Sequence, residues 1–222
     1  MEITPIADFR SPLSAKFGIP RQSGLAGSLE GRIVFRKPYG SADALRGLGG
    51  ADGFDRIWLI WGFSAVPEGR DWQPTVRPPR LGGNVRMGVW ATRSPFRPNG
   101  LGLSCVRVLG IEDGAIRVAG ADLMDGTPIY DIKPYVVYAD CFPDAATGFA
   151  DGAPQPRLTV AWEAESPLSP EETAALEEVL SLDPRPAYQD EPGKRYGMAF
   201  GGYDIAFTVE GKLLTIKTIR KI

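Results

Sequence analysis

Residues 75–108, TVRPPRLGGNVRMGVWATRSPFRPNGLGLSCVRV, combine rigid turns with strand-like alternation. Pro78-Pro79 favours an extended backbone, Gly82-Gly83 allows a tight turn, and Pro98-Asn99-Gly100 is typical of a second turn. Between these turns, apolar and other residues alternate over positions 85–90, which predicts a half-buried strand. The segment therefore predicts a strand bracketed by two shaped loops.

The same segment is rich in arginine. Its six arginines are Arg77, Arg80, Arg86, Arg93, Arg97 and Arg107. Because arginine is rarely buried without a partner, each guanidinium needs an anion, a carboxylate or water. We interpret the segment as a rigid scaffold that directs several arginine guanidinium groups toward one common site. The simpler alternative is a solvated basic strand whose salt-bridge partners lie elsewhere in the fold.

The rest of the chain indicates mostly strands. The predicted strands cover residues 31–35, 56–63, 101–108, 115–123, 157–164, 203–209 and 213–219. A helical turn is predicted at 43–48. A helix begins after Ser169, which suits the cap position, with Pro170 at the first helical position and Glu172 completing a capping box. Asp183-Pro184 is predicted to end this helix.

These elements predict a mainly β fold. Residues 1–165 are expected to form a single, non-Rossmann β-barrel that contains the binding site. Residues 166–222 are expected to form a small α+β C-terminal appendage. The chain of 222 residues is 43% hydrophobic, which is enough for an ordinary core. Its 27 glycines and 20 prolines favour short strands and shaped loops over long helices.

Composition also excludes several kinds of site. The chain has no histidine, so histidine bases, Ser-His-Asp triads and histidine metal ligands are excluded. Cys105 and Cys141 are too few for a zinc site or a disulfide framework. The net charge of −2 predicts that any anion site is a local arginine patch. No apolar run has membrane-spanning length and the N-terminus lacks a signal-peptide layout, so we expect a cytoplasmic protein without a membrane partner.

The chemistry-bearing residues leave several ligands open. Neither a dinucleotide-binding glycine motif nor a P-loop is present. Asp122, Asp125 and Asp131 cluster around a Gly-Thr-Pro turn, where they could hold Mg²⁺ or simply pair with arginines. Arginines, acidic residues and aromatic strands together suit a ligand with an anionic group, hydroxyls and a flat ring or cation. S-adenosylmethionine and many nucleotides meet that description equally well.

Three motifs resolve this choice by resemblance. Residues 74–104 (PTVRPPRLGGNVRMGVWATRSPFRPNGLGLS), 122–135 (DLMDGTPIYDIKPY) and 183–188 (DPRPAY) resemble the TrmO/YaeB family of tRNA methyltransferases, as does SPLSAKFGIPRQSGL at 11–25. The resemblance covers nearly the whole chain. It implies S-adenosylmethionine as cofactor and methylation of N6 of threonylcarbamoyl-adenosine beside the tRNA anticodon. It also implies a single β-barrel with a small C-terminal domain, assembled as a homodimer.

The resemblance also implies which residues bind the cofactor. They are Pro20, Arg21, Gln22, Phe63, Ser64, Arg93, Leu103, Asp122, Leu123, Met124 and Asp125. Two positions depart from the family pattern. Family members often carry histidine where this chain has Ser64, so no obligatory base is expected there. The turn after Asn99 continues here with Gly100-Leu101 instead of Pro-Ile.

The implied acceptor nitrogen is a poor nucleophile, because its lone pair is delocalised into a carbonyl and a ring. In-line placement against the methyl group is therefore expected to carry much of the rate, helped by an acceptor for the departing proton. The candidates are Asp125, Asn99 or a backbone carbonyl, with Asp125 preferred. A purely turn-forming role for Asp125, before Gly126, is the alternative.

A basic surface for tRNA is predicted as well. Its residues are Arg77, Arg80, Arg86, Arg97, Lys133 and Arg185. Two other classes stay open beside the methyltransferase. One is a non-catalytic nucleotide- or RNA-binding barrel that uses the same arginines, and the other is a Mg²⁺-dependent phosphohydrolase.

Overall fold

The structure, a computed structural model, describes residues 2–66, 72–150, 152, 154–185, 191 and 193–222. Strands dominate these residues and helices are short, so the predicted mainly β fold is confirmed. Two sheets with separate hydrophobic cores make up most of the molecule. None of the helices in the described ranges is long and apolar enough to cross a membrane.

Six strands of the first sheet pair in a closed ring. The N-terminal strands, in chain order, are β1 (Ala7–Arg10), β2 (Glu30–Phe35), β3 (Arg56–Gly62), β4 (Thr75–Val76), β5 (Met87–Gly88), β6 (Leu101–Glu112), β7 (Ala115–Ala119) and β8 (Pro128–Pro134). The ring runs β1-β2-β7-β6-β3-β8 and returns to β1, with every pair antiparallel. It forms a closed barrel that leaves no free edge among these six strands.

Alternating side chains fill the interior of this barrel. In β6 every second residue from Gly102 to Val108 is buried, as expected for a strand with one face on the core. Ile33, Ile57 and Leu59 are fully buried at its centre. Gly102 lies opposite Trp61 in the β3–β6 pair, and a Cβ at Gly102 would lie 2.3 Å from Trp61 Cε2. Glycine at position 102 is therefore what lets the indole fold across the sheet inside the barrel.

The second sheet contains β9 (Thr159–Trp162), β10 (Arg195–Phe200), β11 (Tyr203–Glu210) and β12 (Leu213–Lys221) in the order β10-β11-β12-β9. Strand β9 pairs with β12 in parallel. The division at residue 165 stays a prediction. The strand just before that point belongs to the C-terminal sheet.

The described residues include two α-helices, a short α1 (Val137–Asp140) after β8 and α2 (Pro170–Ser181) on the second sheet, and a short 3-10 helix at Pro79–Leu81. The predicted capping box of α2 is confirmed. Ser169 Oγ accepts from the Glu172 N–H at 3.1 Å, and Glu172 Oε2 accepts from the Ser169 N–H at 2.9 Å. The helix ends at Ser181, two residues before the predicted Asp183-Pro184 stop. Residues 42–47 form hydrogen-bonded turns, in which the Leu45 N–H donates to Ser41 O at 3.2 Å, and Leu48 forms an isolated bridge with Phe54.

The N-terminal loop, residues 11–29 between β1 and β2, joins the two cores. Leu13, Ala26 and Leu29 are buried in the hydrophobic cluster of the second sheet, although they precede or follow barrel strands in the chain. The adjoining Asp125 N–H donates to Leu13 O at 2.8 Å. This loop therefore reaches both the barrel and the C-terminal sheet.

The predicted strand at 85–90 was wrong in extent. Only Met87–Gly88 pairs, with Thr75–Val76, and Val89–Ala91 turn as a short 3-10 helix. The prolines and glycines on either side leave too few consecutive extended residues for a longer ladder. We call residues 72–98 the arm.

Candidate functional site

A chain of hydrogen bonds runs from the barrel core toward its surface. Trp61 Nε1 donates to Ser104 Oγ at 2.9 Å, and Ser104 Oγ donates to Asp122 Oδ1 at 2.5 Å. Ser104 is fully buried and Trp61 is 6% exposed. A polar side chain this deep in a β core needs both of its partners, so the chain fixes the position of the Asp122 carboxyl.

A long-range hydrogen bond and a nearby positive charge connect further predicted residues to this part of the barrel. Arg93 Nη1 donates to Gln22 Oε1 at 2.6 Å, which ties the arm to the N-terminal loop. Burial raises the pKa of the Asp122 carboxyl above its ordinary value of 3.8, while the Ser104 hydrogen bond and the charge of Arg93 oppose that rise. The backbone of Ser23 also acts to lower this pKa. Gln22 and Arg93 are therefore in direct contact, and Arg93 lies near enough to Asp122 for its charge to act on that carboxyl.

An aromatic wall and a turn adjoin this cluster. The ring of Phe63 meets that of Trp61 edge-on, with centroids 4.4 Å apart. The Phe63 N–H donates to Gly100 O at 3.0 Å, so the end of β3 holds the 97–100 turn. Ser64 and Asn99 are exposed beside it. The predicted Phe63, Ser64 and Asn99 are thus brought together by backbone contacts at one end of the barrel.

Other predicted cofactor residues occupy different environments. Leu123 is 1% exposed and belongs to the barrel core, and Pro20 is also buried. Leu103 points to the outside and is 51% exposed, because it neighbours the inward-facing Ser104 on the same strand. Arg21 is exposed, and its carbonyl accepts from Gln22 Nε2 at 2.6 Å. The Leu103 side chain therefore lies on the opposite face of the sheet from the Trp61–Ser104–Asp122 chain.

The Asp125 carboxylate is engaged in the fold. Its Oδ1 accepts from the Ser11 N–H at 3.0 Å, and its Oδ2 lies 3.6 Å from Arg10 Nη1. Met124 O accepts from both the N–H and the hydroxyl of Thr127, which closes the following turn. Asp125 thus fastens the N-terminal loop to the 124–127 turn.

The predicted RNA-contacting residues differ in their surroundings. Arg77 and Arg86 are exposed and form no ion pair within the described ranges, and Arg80 donates to Gly152 O at 2.8 Å. Lys133 lies 3.0 Å from Asp131. These four side chains remain accessible on the surface.

Two of the six arginine and lysine residues serve the fold itself. Arg97 Nη1 donates to Thr92 O at 2.6 Å. Arg185 is 8% exposed, donates to both oxygens of Asp183 at 2.9 and 3.0 Å, and lies over the ring of Tyr196. This corrects the expectation for Arg185, whose guanidinium is turned inward; the rest of that predicted motif, residues 186–188, lies outside the described residues.

The acidic cluster does not have the form of a metal site. Asp122 bonds Ser104, Asp125 bonds Ser11 and Asp131 pairs with Lys133. In the ranges that the structure describes, no three acidic or cysteine side chains gather as metal ligands would. A separate cleft of about 430 Å³ lies between β8 and residues 39–54, and none of the Gln22, Arg93 or Asp122 side chains lines it.

Sequence reasoning missed Trp61 and Ser104 as parts of the site. A signal for Ser104 was present: it stands between Gly102 and Val106 at an inward-facing position of a strand whose other inward residues are apolar or glycine. A polar residue at such a position needs a buried partner. The identity of that partner, Asp122, depends on barrel closure and not on local sequence.

Known proteins resemble this chain over most of its length. Residues 8–141 match the sequence model of the tRNA-methyltransferase O N-terminal domain, and residues 155–222 match that of the TrmO C-terminal domain. The chain is 43% identical over 218 residues to an Escherichia coli (strain K12) protein named tRNA (adenine(37)-N6)-methyltransferase, covering 92% of this chain and 91% of that protein. It is 48% identical over 175 residues to the Eikenella corrodens protein of the same name, covering 76% and 98%.

Solved structures and a third relative agree with these matches. A Pseudomonas aeruginosa protein named as a putative S-adenosylmethionine-dependent methyltransferase is 42% identical over 213 residues, covering 91% of this chain and 90% of that protein. The crystal structure of TrmO from Pseudomonas aeruginosa superposes with a TM-score of 0.77 at 32% identity, covering 99% of this chain and 98% of that one. The chain therefore belongs to the TrmO family.

Proposed function

We propose that this protein transfers the methyl group of S-adenosylmethionine to N6 of threonylcarbamoyl-adenosine beside the anticodon of tRNA. The coarser part, an S-adenosylmethionine-dependent tRNA adenine-N6 methyltransferase, follows from membership of the TrmO family and from the relatives of that name. The threonylcarbamoyl group is the finer part, and it rests on the resemblance of the motifs.

The observation that carries the proposal is the contact of Arg93 with Gln22 and its nearness to Asp122, beside the aromatic wall of Phe63. The three side chains supply a cation, an amide and a carboxyl. These are the partners that a carboxylate, a purine and an ammonium or ribose group require. The donor set therefore fits S-adenosylmethionine, which supplies an electrophilic methyl group when bound. We propose that Arg93 binds an anionic group and that Asp122 accepts hydrogen bonds from the bound cofactor.

We propose that the other predicted cofactor-binding residues shape the walls and loops around this cluster. Pro20 and Leu123 are buried and shape the walls, while Arg21, Ser64 and Met124 lie in the loops around the cluster. We propose that these loops carry the backbone groups that face the cofactor. Proteins commonly place such backbone donors and acceptors in binding sites to fix the orientation of a ligand.

For proton removal we propose Asp125, with Asn99 orienting the acceptor nitrogen. Asn99 is exposed at the tip of the 97–100 turn, where its amide is accessible to a bound nucleoside. The Asp125 Oδ2 atom lies 3.6 Å from Arg10 Nη1, which is long for an ion pair, so we propose that this oxygen can accept the proton. Replacing Asp125 by Asn should lower kcat while leaving the KM for S-adenosylmethionine within about twofold. A fall in kcat that is accompanied by a clearly lowered Tm would instead assign Asp125 a structural role in the turn.

The tRNA is proposed to lie against the exposed cations of the arm. Arg77, Arg80 and Arg86 are the proposed phosphate contacts on the arm, and Lys133 on β8 is a fourth. Arg97 lies over the ring of Trp90, so we propose that it holds this side chain in place on the arm. Arg185 is left out of this surface because of its burial. Replacing a phosphate-contacting arginine by alanine is expected to lower the slope of log K for tRNA binding against log salt concentration by about one.

We also propose that the protein is a homodimer whose partner completes the site. The supporting observation is an exposed apolar surface on the outside of the barrel, formed by Leu103, Val137, Tyr138 and Phe142. Trp58 Nε1 donates to Asp140 at 3.1 Å, which places α1 against this face. Light scattering at micromolar concentration should give twice the mass of the chain, and Tyr138→Ser with Phe142→Ser should lower it. A fully active monomer would contradict this proposal.

A turnover assay tests the proposed substrate. Purified protein and S-adenosylmethionine are incubated with two preparations of one tRNA, one carrying threonylcarbamoyl-adenosine and one with plain adenosine at that position. We expect methylation of the modified tRNA alone. Binding of S-adenosylmethionine without turnover on either tRNA would favour the non-catalytic RNA-binding alternative.

A further inference from the structure

Large aromatic side chains project from the arm into solvent. Trp90 is 65% exposed, Trp72 is 49% exposed, and their ring centroids lie 6.5 Å apart at an angle of 30°. Phe96, on the same arm, is 41% exposed. Exposed tryptophans this close together form a patch that normally indicates a binding surface.

The patch is held in place from below. Trp90 stands on the short 3-10 turn whose first residue, Val89, is fully buried, and the Val89 N–H donates to Pro74 O at 3.0 Å. The Arg97 guanidinium lies 5.2 Å from the Trp90 ring centroid and is tied to Thr92 O at 2.6 Å. Little side-chain freedom is therefore lost when a partner binds this ring.

The charge of the arm points to an anionic partner. Residues 72–98 contain five arginines and no acidic or lysine residue, whereas the whole chain has a net charge of −2. The other residues thus carry −7, since −2 minus +5 is −7. Arg77 and Arg86 are exposed and form no ion pair among the described residues. A partner that offers both flat rings and negative charge matches the arm best.

We propose that Trp72 and Trp90 form a stacking platform for an unpaired base in the tRNA loop, with Arg77 and Arg86 on the adjoining phosphates. This proposal rests on the proposed function and adds the side chains that bind the loop outside the reacting nucleotide. Unpaired RNA bases are commonly bound by stacking on aromatic side chains, and positively charged side chains then follow the backbone. A second copy of the chain could meet the charge, but carboxylates alone leave the exposed rings without a matching flat partner.

The experiment measures binding of a fluorescent synthetic anticodon stem–loop RNA, carrying the unmodified or modified adenosine, across a salt series. The variants are Trp90→Ala, Trp90→Phe and Arg86→Ala, with Tyr39→Ala as a matched control at an exposed aromatic outside the arm. Calorimetric affinity for S-adenosylmethionine is measured on each variant, which reports whether the barrel remains folded.

We expect Trp90→Ala to raise the Kd for the stem–loop about 5- to 150-fold, the range found for loss of one base stack. Its salt slope should equal that of the wild type, because no phosphate contact is removed. Arg86→Ala should lower the magnitude of that slope by about 0.7 to 0.9. Trp90→Phe should recover most of the affinity, and Tyr39→Ala should behave as the wild type.

Two results for Trp90→Ala would overturn the proposal. In the first, Trp90→Ala binds the stem–loop as tightly as the wild type while its affinity for S-adenosylmethionine is intact. In the second, Trp90→Ala halves the mass in light scattering, which would assign the patch to a second copy. If the wild type methylates tRNA and either result holds, only the stacking proposal fails. If the wild type neither binds the stem–loop nor methylates tRNA, the proposed function fails with it.

Discussion

Removing the hydroxyl of Ser104 should weaken both the fold and the site. In Ser104→Ala the indole N–H of Trp61 loses its acceptor in the core, which costs about 1–3 kcal/mol. Asp122 also loses a hydrogen bond to a carboxyl, worth about 1.5–3 kcal/mol when that carboxyl is ionised. Because water can reach the partly buried Asp122, we expect a combined loss of about 3 kcal/mol in the free energy of unfolding.

Thermal unfolding and calorimetry measure this effect. For a chain of this size about 3 kcal/mol corresponds to a Tm lowered by roughly 6–12 °C. Affinity for S-adenosylmethionine should fall as well, because the Asp122 carboxyl is no longer fixed. Ser14→Ala is the matched control, since Ser14 is exposed and forms no side-chain hydrogen bond among the described residues. A Tm for Ser104→Ala within about 2 °C of this control would mean that the Ser104 hydrogen bonds do not stabilise the fold.

Three further changes test other parts of the account. Gly102→Ala should cost about 1–3 kcal/mol by overpacking against the indole that crosses it, whereas Gly110→Ala on the same strand has open space and should be nearly neutral. Asp122→Asn should lose cofactor affinity yet unfold at a higher temperature than the wild type at neutral pH. Burial raises the pKa of this carboxyl in the folded state, so wild-type stability falls as pH rises from about 3.8 through the folded pKa, and the two proteins should converge at lower pH. Ser169→Ala should cost about 1 kcal/mol by removing the helix cap, with equal melting curves as the contradicting result.

Local sequence patterns were enough for the elements that depend on neighbouring residues. The apolar run at 56–63 became β3, and the predicted strands at 203–209 and 213–219 became the antiparallel pair β11 and β12. The capping box at Ser169 formed because its hydrogen bonds join residues only three positions apart. These elements depend mainly on residues that lie close together in the sequence.

Elements decided by distant contacts were missed. Strand β1 is only four residues long and gains its partners from β2 and β8, and β8 itself lies in a stretch that appeared only as an acidic turn. The contact between Gln22 and Arg93 spans 71 residues. The motif resemblance named both residues as cofactor-binding, but their direct hydrogen bond follows only from the closed sheet. The Ser104–Asp122 bond depends on the same closure.

Isotope tracing of the methyl group follows the proposed transfer from S-adenosylmethionine to the tRNA base. The protein is incubated with S-adenosylmethionine carrying a deuterated methyl group and with tRNA that bears threonylcarbamoyl-adenosine, and the digested nucleosides are analysed by mass spectrometry. We predict one deuterated methyl group on the base of threonylcarbamoyl-adenosine, with far less label from Arg93→Ala. Label confined to another nucleoside, or no label above a control without protein, would show that the protein does not catalyse this methyl transfer.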